Sequence, residues 1–138
     1  MSQANLVDAL AYIEANFDKT VSLAQLADLS ALSVSRFATV FREQFGLSPY
    51  RYLCALRVRR AQTLLLAGVP GSVVATEVGF FDQSHLARHF KRLCGMTPSA
   101  FVERTRQKAR SAELDACLKK RVAQAETRVF ALDDAHAV

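Results

Sequence analysis

The sequence predicts an all-α fold: two helix-turn-helix subdomains joined by a long linking helix, about seven helices in all, with a C-terminal helical tail. Apolar residues recur at helical spacing along nearly the whole chain. Ser, Asp, Gly and Pro fall where helices begin and end. One stretch of the chain also repeats another at a nearly constant offset.

The elements follow in order. Leu6, Leu10, Ile13 and Phe17 keep the spacing i, i+4, i+7, i+11, a single apolar stripe that Asp18 and Lys19 end. Ser22 with Gln25 forms a capping box and opens a short helix through Leu29. Ser30 to Leu32 make a turn, and Ser33 caps the next helix. Phe37, Phe41 and Phe45 give that helix its buried side, and Gly46 closes it. Ser48-Pro49 opens the linking helix, because Pro fits the first helical position. It runs to about Ala67, before the break Gly68-Val69-Pro70-Gly71. Ser72 caps a helix through about Val78; its Val and Thr content would also suit a strand, and only the repeat keeps it helical. Asp82 caps a helix that carries Leu86 and Phe90 and ends at Gly95, and Thr97-Pro98 opens the last core helix.

The repeat aligns Phe41–Pro49 with Phe90–Pro98 at an offset of 49, matching Phe with Phe, Arg42 with Lys91, Gly46 with Gly95 and Ser48-Pro49 with Thr97-Pro98. Upstream, Ser33 pairs with Asp82, Ser35 with Ser84 and Phe37 with Leu86. Further back Ala27 pairs best with Ala75, so the second turn, Gly79-Phe80-Phe81, is one residue longer. Each unit is a short capped helix containing Ala, a turn, and a capped helix of about three turns, which is the helix-turn-helix pattern. The expected boundaries are 3–47 for the first subdomain, 48–67 for the linking helix, 68–106 for the second subdomain and 107–138 for the tail. In the tail Leu114, Leu118, Val122, Ala125 and Val129 form an apolar stripe beside Lys119, Lys120 and Arg121. That helix is expected to pack back on the body or stay exposed; a dimer or partner contact is the alternative, and residues after Leu132 are expected to fray.

Composition narrows the function. Hydrophobic residues make up 51% of 138, enough for a packed core. The apolar runs are too short to span a bilayer, and nothing near Met1 resembles a signal peptide, so a cytoplasmic protein is expected. Cys54, Cys94 and Cys117 form no CxxC pair and read as small core residues. The net charge of +5 is uneven: residues 1–32 carry −3, 33–92 carry +6 and 93–138 carry +2. A basic excess in the middle of the chain is the footprint of a nucleic-acid binder, although many basic faces are merely solvated.

The stretch from about Ser22 to Arg106 resembles the DNA-binding domain of the AraC/XylS family of bacterial transcription regulators. The residues that carry the resemblance include Ala27, Ser33, Phe37, Phe41, Gly46, Ser48-Pro49, Tyr52, Arg57, Ala61, Leu64-Leu65 and Ala75, with the run from Gly79 to Lys91 the most similar part. The resemblance implies seven helices in two subdomains and a sequence-specific regulator, expected to be an activator with repression as the alternative, that binds double-stranded DNA and contacts RNA polymerase. No enzyme activity, cofactor or metal is expected from the residues. A monomer on DNA is favoured over a dimer formed through the tail. Some DNA-alkylation repair proteins carry such a domain beside a reactive cysteine, but no cysteine here sits in a Pro-Cys-His setting. A protein-only interaction module on the same fold, and the DNA-binding fragment of a longer effector-responsive regulator, are the other readings.

The second helix of each unit, about 34–45 and 83–94, is expected in the major groove. With Phe37, Phe41, Leu86 and Phe90 turned inward, the base-contact candidates are Ser35, Arg36, Ala38, Thr39, Gln83, Ser84, His85 and Arg88. Arg and Gln suit guanine and adenine, Ser and Thr suit either base, and Ala suits a thymine methyl. Arg42, His89 and Lys91 are the phosphate-contact candidates. His85 and His89, at i and i+4, share their stripe with no Cys or carboxylate, so a DNA-facing pair is expected over a metal grip. Arg57, on an otherwise apolar stripe, is expected to form a structural ion pair with an acid such as Glu77. The linking helix would span roughly 28 Å at about 1.5 Å per residue. That is close to one turn of B-DNA, about 34 Å, and suits two readers in successive grooves on one face.

Overall fold

The computed structural model describes residues 2–137, with side chains described for 6–124. Its elements are α1 (Ser2–Asn16), α2 (Leu23–Leu29), α3 (Val34–Phe45), α4 (Pro49–Leu66), α5 (Gly71–Glu77), α6 (Gln83–Cys94) and α7 (Pro98–Ala137). The chain divides into two compact units, Met1–Pro98 and Ser99–Val138.

The first unit holds α1 to α6. Its N-terminal core joins Leu6, Ala9 and Ile13 of α1, Leu26 and Ala27 of α2, Phe37, Val40 and Phe41 of α3, and Leu53 of α4. Leu10 and Phe17 of the expected stripe are only half-buried, while Ala9, outside it, is fully buried. Phe45, expected inside, is 38% exposed. Its ring lies 4.7 Å from that of Phe41 and 6.2 Å from that of Tyr52. α4 packs against α1 and α3 and also against α5 and α6. The second set of buried residues is Val58, Ala61 and Leu65 of α4 with Val74, Ala75, Val78, Phe80, Leu86 and Phe90.

Most expected boundaries have a visible cause. Ser22 Oγ accepts the Ala24 N–H while Gln25 Oε1 accepts the Ser22 N–H, which closes the capping box. Ser33, Ser48 and Asp82 cap α3, α4 and α6 by accepting from the N–H groups of Arg36, Arg51 and His85. Gly46 and Gly95 end α3 and α6 at φ +75°, a left-handed conformation that costs other residues energy. α5 departs from expectation. Its cap is Pro70, not Ser72, and no side chain caps it. Pro70 has an extended ψ of 144° and offers its carbonyl to the N–H groups of Val73 and Val74, so the helix starts two residues earlier. Packing on α4 and α6 holds this Val-rich segment helical against its local preference.

The two helix-turn-helix turns share their closing hydrogen bond. Leu32 N–H donates to Ala27 O, and Phe80 N–H donates to Ala75 O. Ala31 (φ 57°) and Gly79 (φ 96°) occupy the same left-handed position. The extra residue of the second turn is therefore Phe81, whose side chain is 85% exposed.

Arg57 is buried, but not in an ion pair with Glu77, which is exposed. Its Nε donates to Phe17 O at 2.7 Å and a terminal nitrogen donates to Lys19 O at 3.0 Å. These carbonyls lie at and just beyond the C-terminal end of α1, where backbone acceptors lack helical partners. The guanidinium also lies 5.5 Å from the centre of the Phe80 ring. Burial lowers its pKa, so the backbone acceptors stand in for lost water. One side chain of α4 thus ties the end of α1 to the second turn.

The second unit is the greater part of α7, continuous where a core helix and a separate tail were expected. Leu114, Leu118 and Val122 of the apolar stripe are exposed. Ala125, Val129 and the fraying expected after Leu132 lie outside the residues whose side chains are described. Of the cysteines, only Cys54 is fully buried; Cys94 is half-buried and Cys117 exposed, because α7 leaves that position open. Among the described residues no helix is long and apolar enough to cross a membrane.

Candidate nucleic-acid interface

α3 and α6 are strongly two-faced. In α3, Phe37, Val40 and Phe41 are buried while Ser35, Arg36, Thr39 and Arg42 are exposed. In α6, Leu86 and Phe90 are buried while Gln83, Ser84, Arg88 and Lys91 are exposed. The exposed sets hold fork-shaped and hydroxyl donors together with cations, the groups that reach base edges and phosphates.

Local contacts adjust several members. Thr39 Oγ1 donates to Ser35 O at 3.0 Å, so its proton is spent on the helix and it can serve DNA only as an acceptor. Gln83 folds back over the start of α5: a Cβ on Gly71 would meet its Nε2 at 2.8 Å. Ala38 is half-buried and lines an apolar cavity with Leu26 and Leu53, so its methyl faces the body.

The histidines are more enclosed than their spacing suggested. His85 and His89 are half-buried, with their Nε2 atoms 3.1 Å apart. The Phe81 N–H points at His85 Nδ1 at 3.3 Å, and an Arg92 terminal nitrogen lies 2.9 Å from His89 Nδ1. With a donor at each end, three contacts accommodate only one ring proton, whereas two neutral imidazoles carry two. His89 is also stacked on Phe80 at 5.1 Å and meets the edge of Tyr50. Burial, then His85 and the neighbouring arginines, lower its pKa, so His89 favours the neutral form. The structure thus places His89 as a packing and hydrogen-bonding group, with both ring nitrogens engaged inside the protein.

Arg51 was missed by the sequence reading. It sits in the first turn of α4 and, with Arg42, flanks a polar recess of about 220 Å³ over the Gly46–Ser48 corner. The signal lay in the pattern Gly46-x-Ser48-Pro49-x-Arg51, a cation in the first turn of a helix, where the helix dipole does not favour one. Two arginines side by side give this corner an anion-attracting, positive character.

A family profile described as a helix-turn-helix domain matches residues 26–104. The "Probable transcriptional regulator LumQ" of Photobacterium leiognathi is 33% identical over 102 residues, covering 73% of this chain and 41% of that protein. The arabinose operon regulatory protein of Escherichia coli K12 is 36% identical over 89 residues, covering 64% of this chain and 29% of that one. The chain therefore spans about two fifths or less of these relatives. Among solved structures, the DNA-binding domain of the global transcriptional factor AdpA, in complex with a target DNA, superposes with a TM-score of 0.67. It is 28% identical, with 75% of this chain and 94% of that one covered. An AraC-type regulator from Chromobacterium violaceum shares the fold at a TM-score of 0.67 and 24% identity.

Proposed function

The chain belongs to the AraC/XylS family of helix-turn-helix transcription regulators, and on that premise we propose that it reads double-stranded DNA through α3 and α6 in successive major grooves. The observation that carries this reading is the matched pair of turns, each presenting a capped helix with one buried and one polar, basic face. The 18-residue α4 between them, about 27 Å long, suits a spacing near one helical turn.

In this reading Ser35, Arg36 and Thr39 contact bases from α3, and Ser84, Arg88 and Gln83 from α6. His85 borders the second set. Arg42, Arg51 and Lys91 hold phosphates, which positions the chain without specifying sequence. His89 supports α6 from behind, and Ala38 contributes packing. The likeness to transcription regulators supports RNA polymerase as a partner and a single chain on an asymmetric site. No catalytic step is assigned.

The test is selection of residues 1–138 on random duplex DNA, then binding to the selected sequence across a salt series. Two short sequence blocks about one helical turn apart, with affinity falling steeply as salt rises, are the expected result. Enrichment of no sequence would overturn the reading.

A further inference from the structure

Between α1, α2, α3 and the start of α4 the first unit holds a cavity of about 230 Å³. Its floor is Ile13, Leu26 and Leu53, each buried. Its exposed rim is Leu23 and Tyr50, at 38% and 52% exposure. Ala38 of α3 forms one wall. None of the lining residues is Asp, Glu, Lys or Arg. The serine among them, Ser48, already uses its Oγ to accept the Arg51 N–H as a helix cap.

We propose that this cavity is a binding site for a small, uncharged, largely apolar molecule of bicyclic size, seated behind the first recognition helix. The size follows from volume: a dry apolar cavity of about 150 Å³ accommodates benzene, so this one takes a fused two-ring compound. The lack of charge follows from the lining, which would leave an ion without a partner after desolvation. The site exists because position 38 is alanine. The buried positions of α3 beside it are Phe37, Val40 and Phe41, and a side chain of that size at 38 would occupy the space. An occupant would touch α3 one residue from Thr39. At the rim it would touch Tyr50, whose ring meets the edge of His89 on α6 at 6.0 Å. Binding at this site does not depend on the DNA-reading proposal, and its test contains no DNA.

The test is a titration of isotope-labelled chain with 5-fluoroindole, read by 19F and amide NMR. The expected result is saturable shifts confined to the amides around Val21, Leu23, Ala38 and Tyr50. Val21→Phe fills the cavity from the α1–α2 connection, and Leu23→Trp narrows its mouth. Each is expected to weaken probe binding at least tenfold, with the helical circular dichroism signal and the amide peaks of α6 unchanged. Two variants are used so that misfolding of one still leaves a decision. Naphthalene-2-sulfonate, of similar ring size but charged, is expected to bind at least tenfold more weakly than the neutral probe. Absence of saturable local shifts, equal binding by the folded variants, or equal binding of the sulfonate would each overturn the assignment.

Discussion

A side chain on Gly79 would place its first carbon 2.9 Å from the carbonyl oxygen of Asp18, closer than such atoms approach. Gly79 also holds φ at +96°. The second turn and the chain after α1 therefore meet backbone to backbone, and Arg57 closes the same junction with its two carbonyl contacts. Two subdomains with separate local signals are thereby locked together.

Gly79→Ala tests the junction. The left-handed conformation costs a non-glycine residue about 1–2 kcal/mol, and forcing an added carbon into a filled space costs about 1–3 more. A loss of about 2–5 kcal/mol in urea unfolding is expected. A change within the error of the measurement would remove the close approach from the account.

Arg57→Lys separates charge from shape. A lysine keeps the cation but has no planar fork to serve Phe17 O and Lys19 O together. One buried charged hydrogen bond is lost, worth about 1.5–3 kcal/mol. A drop of that order in unfolding free energy is expected, and retention of full stability would show that charge alone holds the contact.

On DNA, the basic residues divide by effect. Arg88→Ala is expected to cost about 1–3 kcal/mol on the preferred site and to relax preference at one base pair. Lys91→Ala and Arg51→Ala are expected to weaken all sequences alike and lower the salt slope by about one each. Competition binding on a mutated-site panel distinguishes the two patterns, and a reversal would exchange the roles.

Stability is expected to depend on acidity through His89. Its folded pKa lies below the ordinary 6.5, so the unfolded chain binds the proton more readily. The contribution is complete above pH 6.5 and declines as pH falls from there through the folded value. His89→Phe, which keeps a ring against Phe80 and Tyr50 but cannot titrate, should flatten that part of the stability profile. A profile equally steep in the variant would assign the effect elsewhere.

The three thiols should react unequally with a disulfide reagent in the order Cys117, Cys94, Cys54. Burial raises the pKa of the Cys54 thiol, which reduces thiolate at neutral pH. Prompt labelling of Cys54 in the native protein would contradict its enclosure.

Much of this architecture was legible before any coordinates. The caps at Ser22, Ser33, Ser48 and Asp82 and the glycine stops at Gly46 and Gly95 act through neighbours a few residues away, so the sequence displays them directly. The exposed faces of α3 and α6 follow from the same periodicity. The partners of Arg57 were not legible, because they are backbone carbonyls about forty residues upstream and any residue supplies a carbonyl. Ala38 and His89 were placed by helical spacing, and His85 by spacing together with the family resemblance. Spacing cannot show that α4 closes a cavity against Ala38, or that Phe80 and Tyr50 enclose His89. Proline can open a helix without a side-chain cap, which is why Ser72 took the wrong role.

Phe81 has a consequence beyond its own exposure. The scaffold helices α2 and α5 superpose in one register and the reading helices α3 and α6 in the next, so the two halves are not interchangeable parts. A residue set grafted from α3 onto α6 would arrive behind a longer approach and meet a different rim. If the two unlike heads read DNA as proposed, the target has a front and a back, and one site fixes the direction in which the chain lies.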